Sequence, residues 1–202
     1  MHTSAYSECA TVTPEEMMAA ALAAGYEAVF VTEHDAVWPA ERLAALRAAF
    51  PALRIFPGVE LTVIDYTLHL VVLGTNDAEY VSRRREPRAV IERARANGHL
   101  TVLAHPFRWG GAEALLQSGA APDALEHRTA NHPAPLGRVS RQWADATGLA
   151  LVNAGDTHNP SMLDRFWIDT ARPIERAEDI RQIVIAGQYE NRMNEREAEQ
   201  EE

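Results

Sequence analysis

Gly25-Tyr26-Glu27-Ala28-Val29-Phe30-Val31-Thr32-Glu33-His34-Asp35 decides how the rest of the chain is read. Its glycine closes a helix, since only glycine enters the left-handed cap region without strain. Ala28 to Val31 is then a short apolar run rich in β-branched and aromatic side chains, the pattern of a buried strand. The run stops abruptly at Glu33, His34 and Asp35, which a core strand has no structural need for.

Working outward, the helix before this strand starts at Thr13-Pro14-Glu15-Glu16: a Thr N-cap, Pro at the first helical position and Glu three residues after the cap. Downstream, a second helix covers roughly Pro39 to Phe50. Strands follow near Arg54 to Phe56 and His69 to Leu73. Pro87 to Asn97 is helical up to Gly98, and Leu100 to Leu103 is a strand. The second half keeps the rhythm: a short helix at Ala112 to Gln117, a strand at Ala124 to Glu126, a helix from Pro135 to Thr147 ending at Gly148, and a strand at Leu149 to Val152. A last strand at Phe166 to Ile168 and a helix at Ala177 to Ala186 complete it. Strands alternating with helices over short connections predict an α/β fold with a mostly parallel sheet, open or closed into a barrel. Residues 1–190 form one domain on this reading, and Asn191 to Glu202, charged and polar, form a frayed tail.

In parallel α/β architectures ligands bind beyond the C-terminal ends of the strands. Four strands here end in His, Glu or Asp: Glu33-His34-Asp35, Glu60 after Pro57-Gly58-Val59, His105 before Pro106, and Asp156 and His158 after Leu151-Val152. His2 opens the chain and His69 opens its strand. A single histidine in such a place is usually structural. The bland explanation has to hold at every one of these strand ends together, and these side chains share one chemistry, the nitrogen and oxygen ligation of Zn, Mn or Fe.

The chain has 202 residues, 47% of them hydrophobic, enough for one domain with a real core. Its single cysteine, Cys9, rules out an internal disulfide and suits a reducing cytoplasm. No stretch reaches the roughly 18–20 apolar residues of a membrane helix, and the N-terminus carries no secretory pattern. The net charge of -10 argues against nucleic acid as a partner. It leaves a small phosphorylated substrate open, because bound cations reverse the local field.

Taken in order, these motifs resemble the polymerase-and-histidinol-phosphatase (PHP) family. His2-Thr3-Ser4-Ala5-Tyr6-Ser7 resembles the second half of its opening Asp-x-His-x-His-Thr segment, and Thr32-Glu33-His34-Asp35 its second motif. Pro57-Gly58-Val59-Glu60 resembles the segment with the family's bridging Glu, His69 to Gly74 its His-hydrophobic-Gly strand, Ala104-His105-Pro106-Phe107 its Ala-His-Pro motif, and Gly155-Asp156-Thr157-His158 its closing motif, one residue shorter. The resemblance covers His2 to about Gln188. It implies a distorted (β/α)7 TIM-like barrel that holds two or three divalent ions (Mn, Zn or Fe) and hydrolyses phosphate esters. The implied metal ligands are His2, His34 in preference to Glu33, Glu60, His69, His105, Asp156 and His158, with Glu8 where some relatives place another His. Glu60 would bridge two ions. If such a site forms, Asp156 would hold an ion or position the water, and His158 or His34 would protonate the leaving oxygen. Arg108, just after His105-Pro106-Phe107, would either pair with the phosphate or lie at the surface without a role.

The opening of the chain departs from the pattern. The family's first His, the Asp before it and the strand carrying them have no counterpart, so the expected barrel lacks its first strand. A late reading frame is the favoured explanation over loss of a ligand. An open edge of that kind exposes backbone groups and favours a homo-oligomer. Three other functions compete: a degenerate domain that binds metal without catalysis; an amidohydrolase-like hydrolase, against which the sequence has no Lys; and a nucleic-acid exonuclease, against which the acidic charge stands. His99 is expected at the surface. Glu126 or His127 are candidates for touching substrate, and Trp38 and Trp109 either wall the pocket or pack in the core.

Overall fold

The Thr13 capping box forms in the computed structural model: Thr13 Oγ1 accepts from Glu16 N, and Thr13 N donates to the Glu16 carboxylate. It starts α1 (Pro14–Ala23), which leads through Gly25 at φ 87° into β1 (Ala28–Val31). The structure describes residues 1–63, 67–81 and 86–199. After β1 come α2 (Ala40–Ala49), β2 (Arg54–Val63), β3 (Leu68–Leu73), α3 (Pro87–Ala96), β4 (Leu100–Ala104), α4 (Ala112–Gln117), β5 (Ala124–Glu126), α5 (Ala134–Thr147) and β6 (Ala150–Val152). β7 (Phe166–Thr170), α6 (Asp179–Ile185), β8 (Tyr189–Met193) and α7 (Glu195–Ala198) follow. No helix among the described residues is long and apolar enough to cross a membrane.

Six strands pair in sequence order, β1 to β6, and the sheet curls into a half-barrel; β7 and β8 form a separate antiparallel ribbon. The expected parallel arrangement holds for β1–β2, β4–β5 and β5–β6. β3 instead runs antiparallel to both β2 and β4. Only residues 64–67 separate the paired ends Val63 and Leu68, far short of the dozen or so a parallel crossover needs.

β2 changes partner midway. Arg54 to Pro57 pair with β1, and Gly58 to Val63 pair with β3. Gly58 sits at the switch, where a Cβ would lie 2.9 Å from Thr32 Cγ2 and 3.0 Å from the Val72 carbonyl oxygen. Strand alternation sends Ile55 toward α1 and α2, with Met17, Met18 and Leu46, and sends Phe56 to the opposite side, with Ile180, Ile183 and Val184 of α6. A third cluster packs Leu61, Leu70 and Leu103 against Ile91, Leu115 and Leu116 of α3 and α4.

On the side of β1 away from β2, no strand pairs among the described residues. Met1 does so as a single residue: its amino group donates to Phe30 O at 3.1 Å, and Thr32 N donates to Met1 O at 2.9 Å, the parallel ladder pattern. A cavity of about 710 Å3 is lined by residues from each of β1 to β7 and from α6, and reaches His2, Glu60 and Asp156.

The segment expected to be a frayed tail is built into the fold. Asn191 to Met193 belong to β8, and the Asn191 side chain ties β6 down by accepting from Asn153 N and donating to Leu151 O at 2.7 Å. Glu197 is buried, bonded by Arg165 at 2.6–2.7 Å with the Arg128 guanidinium at 3.7 Å. Composition marks these residues as solvated because it cannot show that their charges pair with residues elsewhere in the fold. Residues 200–202 of the expected tail lie outside the described residues.

Candidate metal centre

The ladder between β1 and β2 continues past the end of β1. Glu60 N donates to Glu33 O and Asp35 N to Glu60 O, so His34 and Glu60 stand opposite each other as a parallel bridge. β3 places His69 opposite Thr62 of β2 and Ala104 of β4, next to His105. His2 N donates to Thr157 O at 2.8 Å, which brings the chain start against the loop of Asp156 and His158. His105 and Asp156 take positive φ, 29° and 43°. Such backbone costs on the order of 1–3 kcal/mol per residue and clusters at functional sites.

Glu60, buried, is the hub. Its Oε2 lies 3.1 Å from His2 Nε2. Its Oε1 lies 2.6 Å from His69 Nδ1, 3.3 Å from His105 Nε2 and 3.9 Å from His34 Nδ1. His2 Nε2 also reaches Asp156 Oδ1 at 3.4 Å, and the His2 ring packs between those of His34 and His158, each centroid 4.4 Å away. Three groups have ligand atoms within 4.8 Å of one another: His34, Glu60 and His69; His2, Glu60 and Asp156; and His2, Cys9, His34 and His158. Imidazole, carboxylate and thiolate are the donors of divalent transition metals, so the residues present fit such ions.

The charge states are set by burial and by the contacts within the cluster. Burial alone would lower the His2 pKa, but Asp156 and Glu60 outweigh it and His2 is raised. Burial alone would raise the Glu60 pKa, but His105, His2 and His69 together hold it well below the usual carboxylate range. Asp156 is also lowered: burial opposes this, and His2 and Asn131 outweigh it. Burial pushes His34 and His158 down, leaving neutral imidazoles with a lone pair to give. Glu126, beneath the cluster, goes the other way, raised by burial and then by the charges of Asp156 and Glu60.

His2, His34, Glu60, His69, His105, Asp156 and His158 thus come together. Glu8 does not: it is exposed and belongs to none of the three groups, and Cys9 supplies a ligand atom instead. Glu33 is occupied by Thr3, Ser7 and Trp38, whose N–H and O–H groups donate to its oxygens, so His34 is the residue of that motif left for an ion. Of the two roles open to Trp38, the structure gives packing: it is a core residue at 2% exposure. Trp109 does stand at the site, half-exposed, its ring 5.5 Å from that of His69 and 5.2 Å from that of His105. Arg108 is exposed and stacks over Trp109 at 4.7 Å. His99, expected at the surface, is half-buried with Nδ1 3.0 Å from the Tyr80 hydroxyl. His127 lies against Asn153, and His132 spans the carbonyls of His127 and Pro106, so both are framework. Sequence reasoning missed Asn131, whose Nδ2 donates to Asp156 Oδ2 at 2.7 Å.

No family model matches the chain, and no curated protein matches it. Solved structures do match. An amidohydrolase from Chromobacterium violaceum, solved with bound sulfate and no metal, superposes with a TM-score of 0.61 at 16% identity over 78% of this chain and 85% of its own. A protein from Bifidobacterium adolescentis described as a metal-dependent phosphoesterase gives 0.65 at 14% identity, over 90% and 93%. PsfC from Pseudomonas syringae gives 0.64 at 17% identity, over 92% and 84%. At these identities the likeness establishes the fold, one shared with a protein named as an amidohydrolase and with one named as a metal-dependent phosphoesterase.

Proposed function

We propose that this chain is a metal-dependent phosphoesterase acting on a small phosphate ester. The observation that carries the reading is the position of Glu60, with one oxygen toward His2 and Asp156 and the other toward His69, His105 and His34. A carboxylate between two sets of nitrogen and oxygen donors is what a shared site for two divalent ions requires. Such ions, when bound, neutralise phosphate oxygens and lower the pKa of a coordinated water from about 15.7 toward 7.

The chain's own residues do the rest. Glu60 stays ionised between the two donor sets. Asn131 fixes the Asp156 carboxylate by donating to Oδ2, leaving Oδ1 toward His2. His158 donates from Nδ1 to Asp156 O, which sets its tautomer and presents Nε2. Arg108, held on Trp109 beside His69 and His105, offers a planar guanidinium suited to a phosphate group. In a chain of net charge -10, that local cation is what an anionic substrate would meet first at this end of the site.

The amidohydrolase-like reading is the alternative, supported by the fold shared with the Chromobacterium violaceum protein. The test is turnover by the Mn- or Zn-loaded full chain of p-nitrophenyl phosphate, a nucleoside monophosphate and p-nitroacetanilide. Phosphate release from either ester, at least about 100-fold reduced in Glu60→Gln, supports the proposal. Amide cleavage without phosphate release favours the alternative.

A further inference from the structure

We propose that Cys9 is a metal ligand: its thiolate, with His34 and His158, holds one ion of the centre and makes that position selective for zinc-like, thiophilic cations. This rests on the metal-centre reading above and adds which atom completes the site.

The local backbone sets it up. Ser7 N donates to Thr3 O, and Ala10 N donates to Ser7 O at 3.1 Å, closing a turn with Glu8 and Cys9 at its middle positions. Ser7 is buried by its bonds to Glu33 and to His34 N, which fixes the turn against the cluster. Glu8 faces outward, and Cys9 Sγ falls among the nitrogens of His2, His34 and His158, all within 4.8 Å of one another. His2 is committed elsewhere, because its Nε2 faces Glu60 and Asp156. His158 has Nδ1 bound to a carbonyl, which leaves Nε2 for an ion. Three protein donors with a fourth position open is the pattern of catalytic zinc sites, mixed Cys/His sets included.

The choice of residue has a chemical consequence. A carboxylate at this place would suit a hard cation such as Mn; a thiolate favours softer ions such as Zn or Co. The groups built on Glu60, with His2 and Asp156 or with His34 and His69, have no sulfur donor and stay open to either. The two ends of one centre therefore differ in preference. Cys9 is also exposed, so its reactivity reports occupancy directly.

The experiment loads the purified full chain with Co(II) and records absorption and metal content. The expected result is a thiolate-to-cobalt charge-transfer band in the near ultraviolet. Cys9→Ser should lose the band and one cobalt per chain, and Glu8→Gln should keep both. In parallel, alkylation of Cys9 by iodoacetamide should slow at least about tenfold with saturating Zn and remain unchanged with Mn. Cobalt bound without the band, or an ion lost in Glu8→Gln and kept in Cys9→Ser, would overturn the assignment while leaving the metal centre standing. No cobalt bound by the wild type would overturn both.

Discussion

Glu60 has two oxygens with different neighbours, and replacing it separates charge from shape. Glu60→Gln keeps the volume and removes the anion that His2, His69 and His105 face. Metal content should fall to one ion per chain or fewer. Asn131→Ala tests the support of Asp156 and should weaken metal binding about 10- to 100-fold with secondary structure intact, read by titration with a chelating indicator. His127 carries a prediction about pH. Burial, and then the Arg141 guanidinium, lower its pKa from 6.5 to about 4. Between those values the unfolded chain binds more protons than the folded one, so the stability it contributes is complete above about pH 6.5 and lost as pH falls to about 4. Allowing for partial solvent screening, the wild type should lose on the order of 2 kcal/mol more than His127→Gln between pH 7 and 4. Urea midpoints at both values check this, and equal losses would contradict it. The histidines and carboxylates of the cluster were legible in the sequence, because they were read at strand ends and, for His2, at the chain start; Glu60 lies inside the longer β2. Cys9 and Asn131 were not: a turn decides whether Glu8 or Cys9 faces the cluster, and Asn131 acts through a side-chain bond that no spacing encodes.

β2 is the element that makes the site, since it pairs with β1 below Gly58 and with β3 above it and so carries Glu60 between His34 and His69. Gly58→Ala should therefore cost about 1–3 kcal/mol, because the added methyl meets the Val72 backbone as well as the buried Thr32 side chain, which is held by the Met1 amino group. Differential scanning calorimetry should show a melting temperature lower by roughly 2–4 °C per kcal/mol, and an unchanged melting point would mean that the partner switch tolerates bulk. The capping box at Thr13, the glycine after α1 and the apolar runs of β1, β3 and β4 could all be read from local pattern. The antiparallel setting of β3 follows from the few residues between Val63 and Leu68, a consequence of connection length that periodicity does not show. β7 was only half visible, because its partner β8 is written in polar residues, Tyr189-Glu190-Asn191-Arg192-Met193, whose side chains bond to β6 and to each other.

At the scale of the whole molecule, a half-barrel and a ribbon are joined by buried polar contacts as well as apolar ones. Glu197 is the clearest: it sits between Arg165 and Arg128 and ties α7 under the ribbon. Glu197→Ala leaves buried positive charge with less compensation and should destabilise the fold by about 3–5 kcal/mol. If the variant melts within about 2 °C of the wild type, the C-terminal residues are not part of the cooperative unit. The expected barrel appears in part, as six curled strands, with Met1 alone pairing along the free side of β1. That geometry delivers His2 to the cluster, so the chain start is part of the site. The central claim, a centre of at least two divalent ions shared through Glu60, is tested most directly by elemental mass spectrometry of the purified chain after incubation with Mn and Zn. Two or more ions per chain, falling to one or none in Glu60→Gln, is the predicted result. One ion or none in the wild type, or an unchanged count in Glu60→Gln, would contradict it.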